Sequence, residues 1–325
     1  MRFIRFEPGG PPSTLTIDHC PDPKPDESQV VVKVSGFGVN RADTLQRLGK
    51  YPPPQGESDI LGLEVSGTVV ALGSKVTKWE LGDAVFGLVP GGGYAERVCV
   101  HQDHLMSQPK NMDPLHAAGL AEVFLTAFQS VCWLGQVKKH DRVLIHAGAS
   151  GVGLAAIQLC KALGAEVAVT ASCQEKLDVC RLAGADLLVN YRTSCFKDVV
   201  KTNWSSSINT VIDVVGGDYL NRNLSLLALD GRIVYLAMLG GRYADKLDMA
   251  QLLGKRAQII GSTLRNRDNQ YKTELTQQFS DQWLDKFESQ TLRVNVDSIL
   301  PVDQIANAHQ RLETNDTKGK IIMAW

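Results

Sequence analysis

The stretch 142–165, RVLIHAGASGVGLAAIQLCKALGA, narrows the fold of this chain more than any other. RVLIHA has the composition of a buried strand. It runs into a turn holding Gly148, Ser150, Gly151 and Gly153, and the residues beyond have helical spacing. A G-x-G-x-x-G match needs this order of strand, glycine turn and helix. The glycines permit a tight turn, and the first helical N–H groups then face a negative ligand at the positive end of the helix dipole. The backbone of Gly148, Ser150, Gly151, Val152 and Gly153 is therefore expected to cradle the pyrophosphate of a dinucleotide. Ser150 replaces the middle glycine; with a negative φ it fits there, its hydroxyl facing the phosphate. A βα turn that binds nothing is the alternative.

The rhythm that follows supports the binding turn. EVAVTA (166–171), a helix over 174–183, DLLVNY (186–191), a helix over 195–203, INTVIDVVGG (208–217), RIVYLAM (232–238) and AQIIGST (257–263) alternate strand with helix or loop. That alternation predicts βαβ units and a doubly wound parallel sheet.

Before residue 120 the pattern differs. QVVVKVSGFGV (29–39), EVSGTVVAL (64–72), DAVFGLV (83–89) and YAERVCV (94–100) are valine-rich and bounded by Gly, Pro or Asp. Short strands at close spacing predict a small barrel or sandwich. The prolines at 52, 53 and 54 mark a loop. After a long helical stretch (269–289) come RVNVDSIL, the helix VDQIANAHQRLE and the strand KGKIIMAW. That tail is too short for its own core and is expected to return to the first domain. At 325 residues the chain exceeds the roughly 250 to 300 that one core supports, so two α/β domains are expected. One comprises 1–120 with 265–325, the other 121–264.

A formal net charge of −1 argues against nucleic-acid binding. The seven cysteines never fall in a C-x-x-C spacing, which reads as reduced thiols in a cytoplasmic protein. MRFIRFEPGGPP lacks the apolar run of a signal peptide, and no stretch is expected to approach the roughly 20 apolar residues of a membrane span.

Cofactor choice falls on the end of the second parallel strand, where NAD enzymes place an acid on the adenosine ribose. Here TASCQEK offers Ser172, with Lys176 one helical turn on, and Tyr191 ends the third strand. Those groups suit a 2′-phosphate, so NADPH is expected. Glu175 dissents, but from the helix rather than the strand end.

Several motifs now converge: GFGVNRADTLQRLGKYPPP (36–54), LGLEVSGTVVALG (61–73), GDAVFGLVPGGGYAE (82–96), AAGLAEVFLTAFQ (117–129), HAGASGVG (146–153), LALDGRIV (227–234), LRNRDNQYK (264–272) and GKIIM (319–323). The chain resembles, nearly end to end, the medium-chain dehydrogenase/reductase superfamily, and within it the zinc-free, NADPH-dependent quinone oxidoreductases. The resemblance implies a GroES-like β-barrel catalytic domain, a Rossmann domain and a cleft between them. It also implies that Asn40 reaches the nicotinamide ribose or substrate, and that Glu122 and Thr126 are cofactor-side contacts. For Asn40 the alternative is a loop residue bonding its own backbone; for Glu122 it is a helix N-terminal charge. Leu239 and Leu264 are expected to border the nicotinamide, or, with Phe37, to be core.

Zinc members carry Cys where this chain has Asn40 and His where it has Leu63, and the four-cysteine zinc lobe is missing, so no metal is expected. Without a Lewis acid a quinone is the easiest acceptor, because hydride addition yields a weakly basic phenolate. Tyr51 is the expected hydrogen-bond donor to it, or else an aromatic anchor for its loop. The family further implies a homodimer joined through the Rossmann edge strand RAQIIGS (256–262). Two other readings use the same features: an NADPH-dependent reductase of activated C=C bonds in enones or enoyl thioesters, and a non-enzymatic dinucleotide-binding structural protein.

Overall fold

A computed structural model describes residues 1–204 and 207–325. Strands β1 to β7 are Arg2–Arg5, Thr16–His19, Gln29–Val39, Glu64–Leu72, Ala84–Leu88, Arg97–His101 and Leu105–Ser107. Strands β8 to β13 are Arg142–Ile145, Glu166–Ala171, Leu187–Asn190, Ile208–Asp213, Leu227–Tyr235 and Gln258–Gly261, and β14 and β15 are Val296–Pro301 and Lys320–Ala324. Helices α1 to α6 are Arg41–Arg47, Pro114–Ala117, Ala121–Phe128, Gly151–Ala162, Gln174–Leu182 and Phe196–Trp204. Helices α7 to α11 are Tyr219–Leu226, Met249–Gly254, Asn269–Trp283, Asp285–Glu288 and Ile305–Glu313. Two compact units result, Met1–Leu125 with Leu264–Trp325, and Thr126–Thr263.

The unit Thr126–Thr263 holds a six-stranded sheet in the order β10-β9-β8-β11-β12-β13, every pair parallel. Its central strands read Val143-Leu144-Ile145 and Val167-Ala168-Val169, all 0% exposed, because helices cover both faces of a parallel sheet. The order reverses between β8 and β11. That switch point leaves a crevice beyond the carboxyl ends of the strands, and the glycine turn follows β8 directly.

In the other unit β3 organises a seven-stranded sheet, β14-β15-β3-β4-β5-β7, with β6 also on β3. One edge of β3 pairs with β4; the other is shared by β6 along Gln29–Lys33 and by β15 along Gly36–Val39. The tail thus joins the first sheet, and all its pairings are antiparallel except β14 with β15. Val30, Val32, Phe37, Val65, Val85 and Ile322 are fully buried around it. The fold is the expected Rossmann-type sheet plus a separate, mostly antiparallel β domain.

One expectation needs correcting. Residues Pro114–Leu134 form a helical stretch of mean hydropathy 1.4, long and apolar enough to span a membrane by length and composition. In its most apolar window 72% is buried inside the protein, so its apolarity is that of a core helix.

Candidate functional site

At the end of β8 the chain turns through Ala147 in the left-handed region (φ 54°) and enters α4. Gly148 and Gly153 are required by the fold itself. A Cβ on Gly148 would lie 2.8 Å from Val169 Cβ, and one on Gly153 would lie 2.6 Å from the Ala147 and Gly148 carbonyl oxygens. Ser150 has the expected negative φ (−73°). Its Oγ, however, accepts the Gly153 N–H at 3.1 Å, so it is the N-cap of α4 and not simply a phosphate-facing hydroxyl. Gly151 and Val152 open α4 behind that cap, where a helix offers N–H groups that have no partner within it.

Beyond β9 lies Ser172, half-buried, and α5 begins at Gln174, carrying Lys176 in its first turn. The Tyr191 N–H donates to the Ala171 carbonyl at 3.1 Å, which brings Tyr191, 44% exposed, beside the strand end that Ser172 follows. Ser172 and the Tyr191 backbone thus lie at the end of β9, and Lys176 is in the first turn of the helix that follows. Glu175 sits exposed in the first turn of α5. Leu239 is tied by its N–H to the Val214 carbonyl (3.0 Å), but its side chain is 54% exposed and does not belong to the core. Thr126, on α3, is half-buried, and its carbonyl accepts the Ser130 hydroxyl at 2.7 Å.

Sequence reasoning missed the polar chain beneath these loops. Asp213, 0% exposed, accepts the N–H groups of Val215 (2.5 Å) and Gly216 (3.0 Å) on Oδ1 and the Asn223 amide on Oδ2 (2.8 Å). Asn223 Oδ1 accepts from His146 Nε2 (2.8 Å), and the Thr170 hydroxyl lies 3.0 Å from Nδ1. Burial lowers the His146 pKa, which keeps the ring neutral and this donor order intact. The chain fixes the ends of β8, β9 and β11 to one another. Only the aspartate in VIDVVGG signalled it.

In the other unit Asn40 is the N-cap of α1 and only 5% exposed. Its N–H donates to Asp43 Oδ2 (2.8 Å), and its Nδ2 donates to Glu64 Oε1 (3.0 Å) and the Gly38 carbonyl (3.3 Å). Its Oδ1 accepts the Lys320 ammonium (2.7 Å), which also pairs with Glu64 at 2.6 Å. Asn40 is thus part of a buried ionic cluster, in which a buried lysine and glutamate each need every available partner. The backbone-bonding alternative is half met, through Gly38. Glu64 Oε2 also accepts the Glu122 N–H at 2.9 Å, placing Glu122 in the first turn of α3.

Tyr51 follows α1, half-buried, and among the described residues its hydroxyl makes no hydrogen bond. Burial raises its pKa, nearby Arg265 opposes that and Glu122 adds to it, so Tyr51, Glu122 and Arg265 share one electrostatic neighbourhood. The Arg265 guanidinium carbon is 5.6 Å from the Tyr51 ring centroid. Leu264, half-buried, immediately precedes it. Phe37 is core, at 0% exposure. Behind Asn40, burial pushes Asp43 up to about 6, and Tyr94 donates to Asp43 Oδ2 (3.0 Å) while facing His309 Nε2 (3.0 Å).

Residues 26–110 match the alcohol dehydrogenase GroES-like domain, and residues 151–281 the zinc-binding dehydrogenase domain. The human quinone oxidoreductase is 28% identical over 331 residues, 99% of this chain and 97% of its own. Among solved structures, the Escherichia coli quinone oxidoreductase complexed with NADPH superposes at TM-score 0.89 with 26% identity, covering all of both chains. An NAD-dependent alcohol dehydrogenase superposes at 0.87 with 29% identity, again over all of both chains. Within the GroES-like match, the two positions at which the resemblance would place zinc ligands offer poor donors. Leu63 is aliphatic, and Asn40 Oδ1 already holds an ammonium cation. Among the described residues no group of three or more His, Cys, Asp or Glu side chains is placed to hold a metal.

Proposed function

Because the chain belongs to the medium-chain dehydrogenase/reductase family, we propose that it is an NADPH-dependent reductase of quinones that works without a metal. One observation supports the reading: Ser172 follows β9, the Tyr191 backbone bonds to the last residue of that strand, Lys176 lies in the first turn of the next helix, and the strand end carries no acid. Similar folds use either nicotinamide cofactor, so the choice rests on this chain's own side chains. A 2′-phosphate gains charge-assisted hydrogen bonds from a lysine and two hydroxyls, whereas a ribose hydroxyl finds no carboxylate acceptor at that strand end.

The bound dinucleotide supplies a hydride. The protein's tasks are to hold and to shield. The N-terminus of α4 would hold the pyrophosphate, helped by the Ser150 hydroxyl, whose proton stays free to donate while its oxygen caps Gly153. The Asp213–Asn223–His146 chain keeps the neighbouring loops rigid. Tyr51 stays protonated, since burial raises its pKa, and so remains a donor to an acceptor oxygen at neutral pH. No protein group ionises and none forms a bond to substrate.

A panel of quinones and enones, assayed for NADPH consumption with each product identified, tests this reading. Quinone reduction insensitive to chelators is expected. Turnover of enones alone, with the transferred hydrogen retained on carbon, overturns it in favour of C=C reduction. Tight NADPH binding with no turnover of any acceptor favours a binding protein.

A further inference from the structure

Arg265 is only 7% exposed, and its Nε donates to the Pro90 carbonyl at 2.8 Å, which fixes the plane of the guanidinium. Its two terminal amino groups, Nη1 and Nη2, are buried and have no hydrogen-bond partner among the described residues. Arginine does not lose its proton in proteins, so the full charge stays in place with its terminal donors unmet. The chain houses its other deeply buried guanidinium differently: Arg47 gives one terminal amino group to the Gly10 carbonyl and the other to Glu313. An orphaned, desolvated cation is expensive to keep, and such arrangements are retained where an anion or a charge-gaining oxygen arrives to meet them.

We propose that Arg265 is the oxyanion-binding group of the acceptor site, its free fork receiving the quinone oxygen that becomes a phenolate beside Tyr51. The proposal rests on the quinone-reductase reading and adds a residue to it. Addition of hydride to the quinone breaks one carbonyl π bond, and that electron pair moves onto the oxygen. The hydride brings the pair for a new C–H bond at a conjugated ring carbon, the nicotinamide is left oxidised, and loss of one proton from that carbon with uptake of two at the oxygens completes the hydroquinone. The product oxygen is thus anionic at the moment it forms, and a preorganised cation there lowers the barrier.

The surroundings fit this role. Tyr51, Asp43, Glu57 and Lys272 are the charged or titratable groups coupled to Arg265. Asp43 and Glu57 hold the guanidinium charge in place from a distance without touching the fork. Lys272, on α9 and also 7% exposed, adds a second positive charge nearby. Arg265 favours the ionised form of the Tyr51 phenol, and the same field acts on a substrate phenolate brought to that ring.

The test uses para-nitrophenol, whose phenolate is coloured, titrated optically on the full chain loaded with oxidised cofactor. Bound to the wild type, it is expected to ionise about one pH unit or more below its midpoint in water. Arg265→Met should abolish that shift and lower kcat for a quinone on the order of 100-fold, with a smaller change in KM. Arg265→Lys keeps the charge without the fork and should recover part of both; it also serves if Arg265→Met fails to fold, as reported by thermal melting and cofactor affinity. A wild type that reduces quinones while both variants leave kcat and the midpoint unchanged overturns the role of Arg265 and spares the quinone reading. A midpoint lowered through Arg265, in a protein that reduces no quinone, keeps the oxyanion site and overturns the quinone reading.

Discussion

Lys176 and Tyr51 serve different ends of the proposed reaction, and single substitutions separate them. Lys176→Ala removes a charge-assisted hydrogen bond to a 2′-phosphate, worth about 1.5–3 kcal/mol, so NADPH affinity should fall roughly 10- to 100-fold. NADH affinity should stay where it was, and both dissociation constants at one ionic strength check this. Equal losses for the two cofactors would sink the phosphate role. Tyr51→Phe removes one neutral hydrogen bond worth about 1 kcal/mol, so turnover should drop only several-fold with NADPH affinity retained. A loss beyond about 100-fold would make Tyr51 a general acid instead. Tyr51 was readable from the sequence as a polar aromatic beside a proline loop. The fate of Asn40 was not, because its partners Glu64 and Lys320 lie 24 and 280 residues away.

The elements themselves were legible to different degrees. Strands 29–39, 64–72 and 166–171 end where the sequence places them, since β-branched runs stop at Gly, Pro or polar punctuation. Helix α1 was missed: RADTLQR is short and polar, and it is held by the Asn40–Asp43 capping box and not by an apolar stripe. Helix α8, MAQLLG, buries no residue and gave no periodic signal. The His146–Asn223–Asp213 chain joins residues 77 and 10 positions apart, a spacing no local pattern encodes. The sequence shows Ser150 in place of a glycine, but its capping bond depends on backbone geometry. Ser150→Ala should therefore cost about 1 kcal/mol of stability, and Ser150→Gly only a few tenths. Denaturant midpoints of the two variants decide it; equal losses would mean that the cap contributes nothing.

At the scale of the molecule, buried histidines set the acid response. Burial lowers His309 to about 3 and His104 to about 4, and lowers His146 too, so below the ordinary histidine range the unfolded chain binds more protons than the native one. Stability should thus fall as pH drops from about 6.5 toward 4. Asp43, raised to about 6, acts in the opposite sense, taking up a proton in the folded state first, but one carboxyl opposes three imidazoles. Thermal melts across that window check the sign, and a melting point that rises on acidification refutes it. The free edge of β13, with Ile259 39% exposed, is the place where two copies are expected to pair into one sheet. Light scattering at micromolar concentration should give a dimer mass; a monomer refutes the pairing.

The shared edge of β3 has a consequence for how the protein is made. Val39 and Lys320 meet across 281 residues, so a ribosome adding about 5–20 residues per second needs roughly 15 to 60 seconds to supply the partner. Until then the Glu64 carboxylate has no lysine, and the Gly36–Val39 edge has no strand beside it. The unit Thr126–Thr263 is contiguous and leaves the ribosome complete, free to fold first. The nascent chain is accordingly exposed to aggregation at its oldest residues, not its newest. Proteolysis of stalled nascent chains should find residues 126–263 protected before residues 29–72.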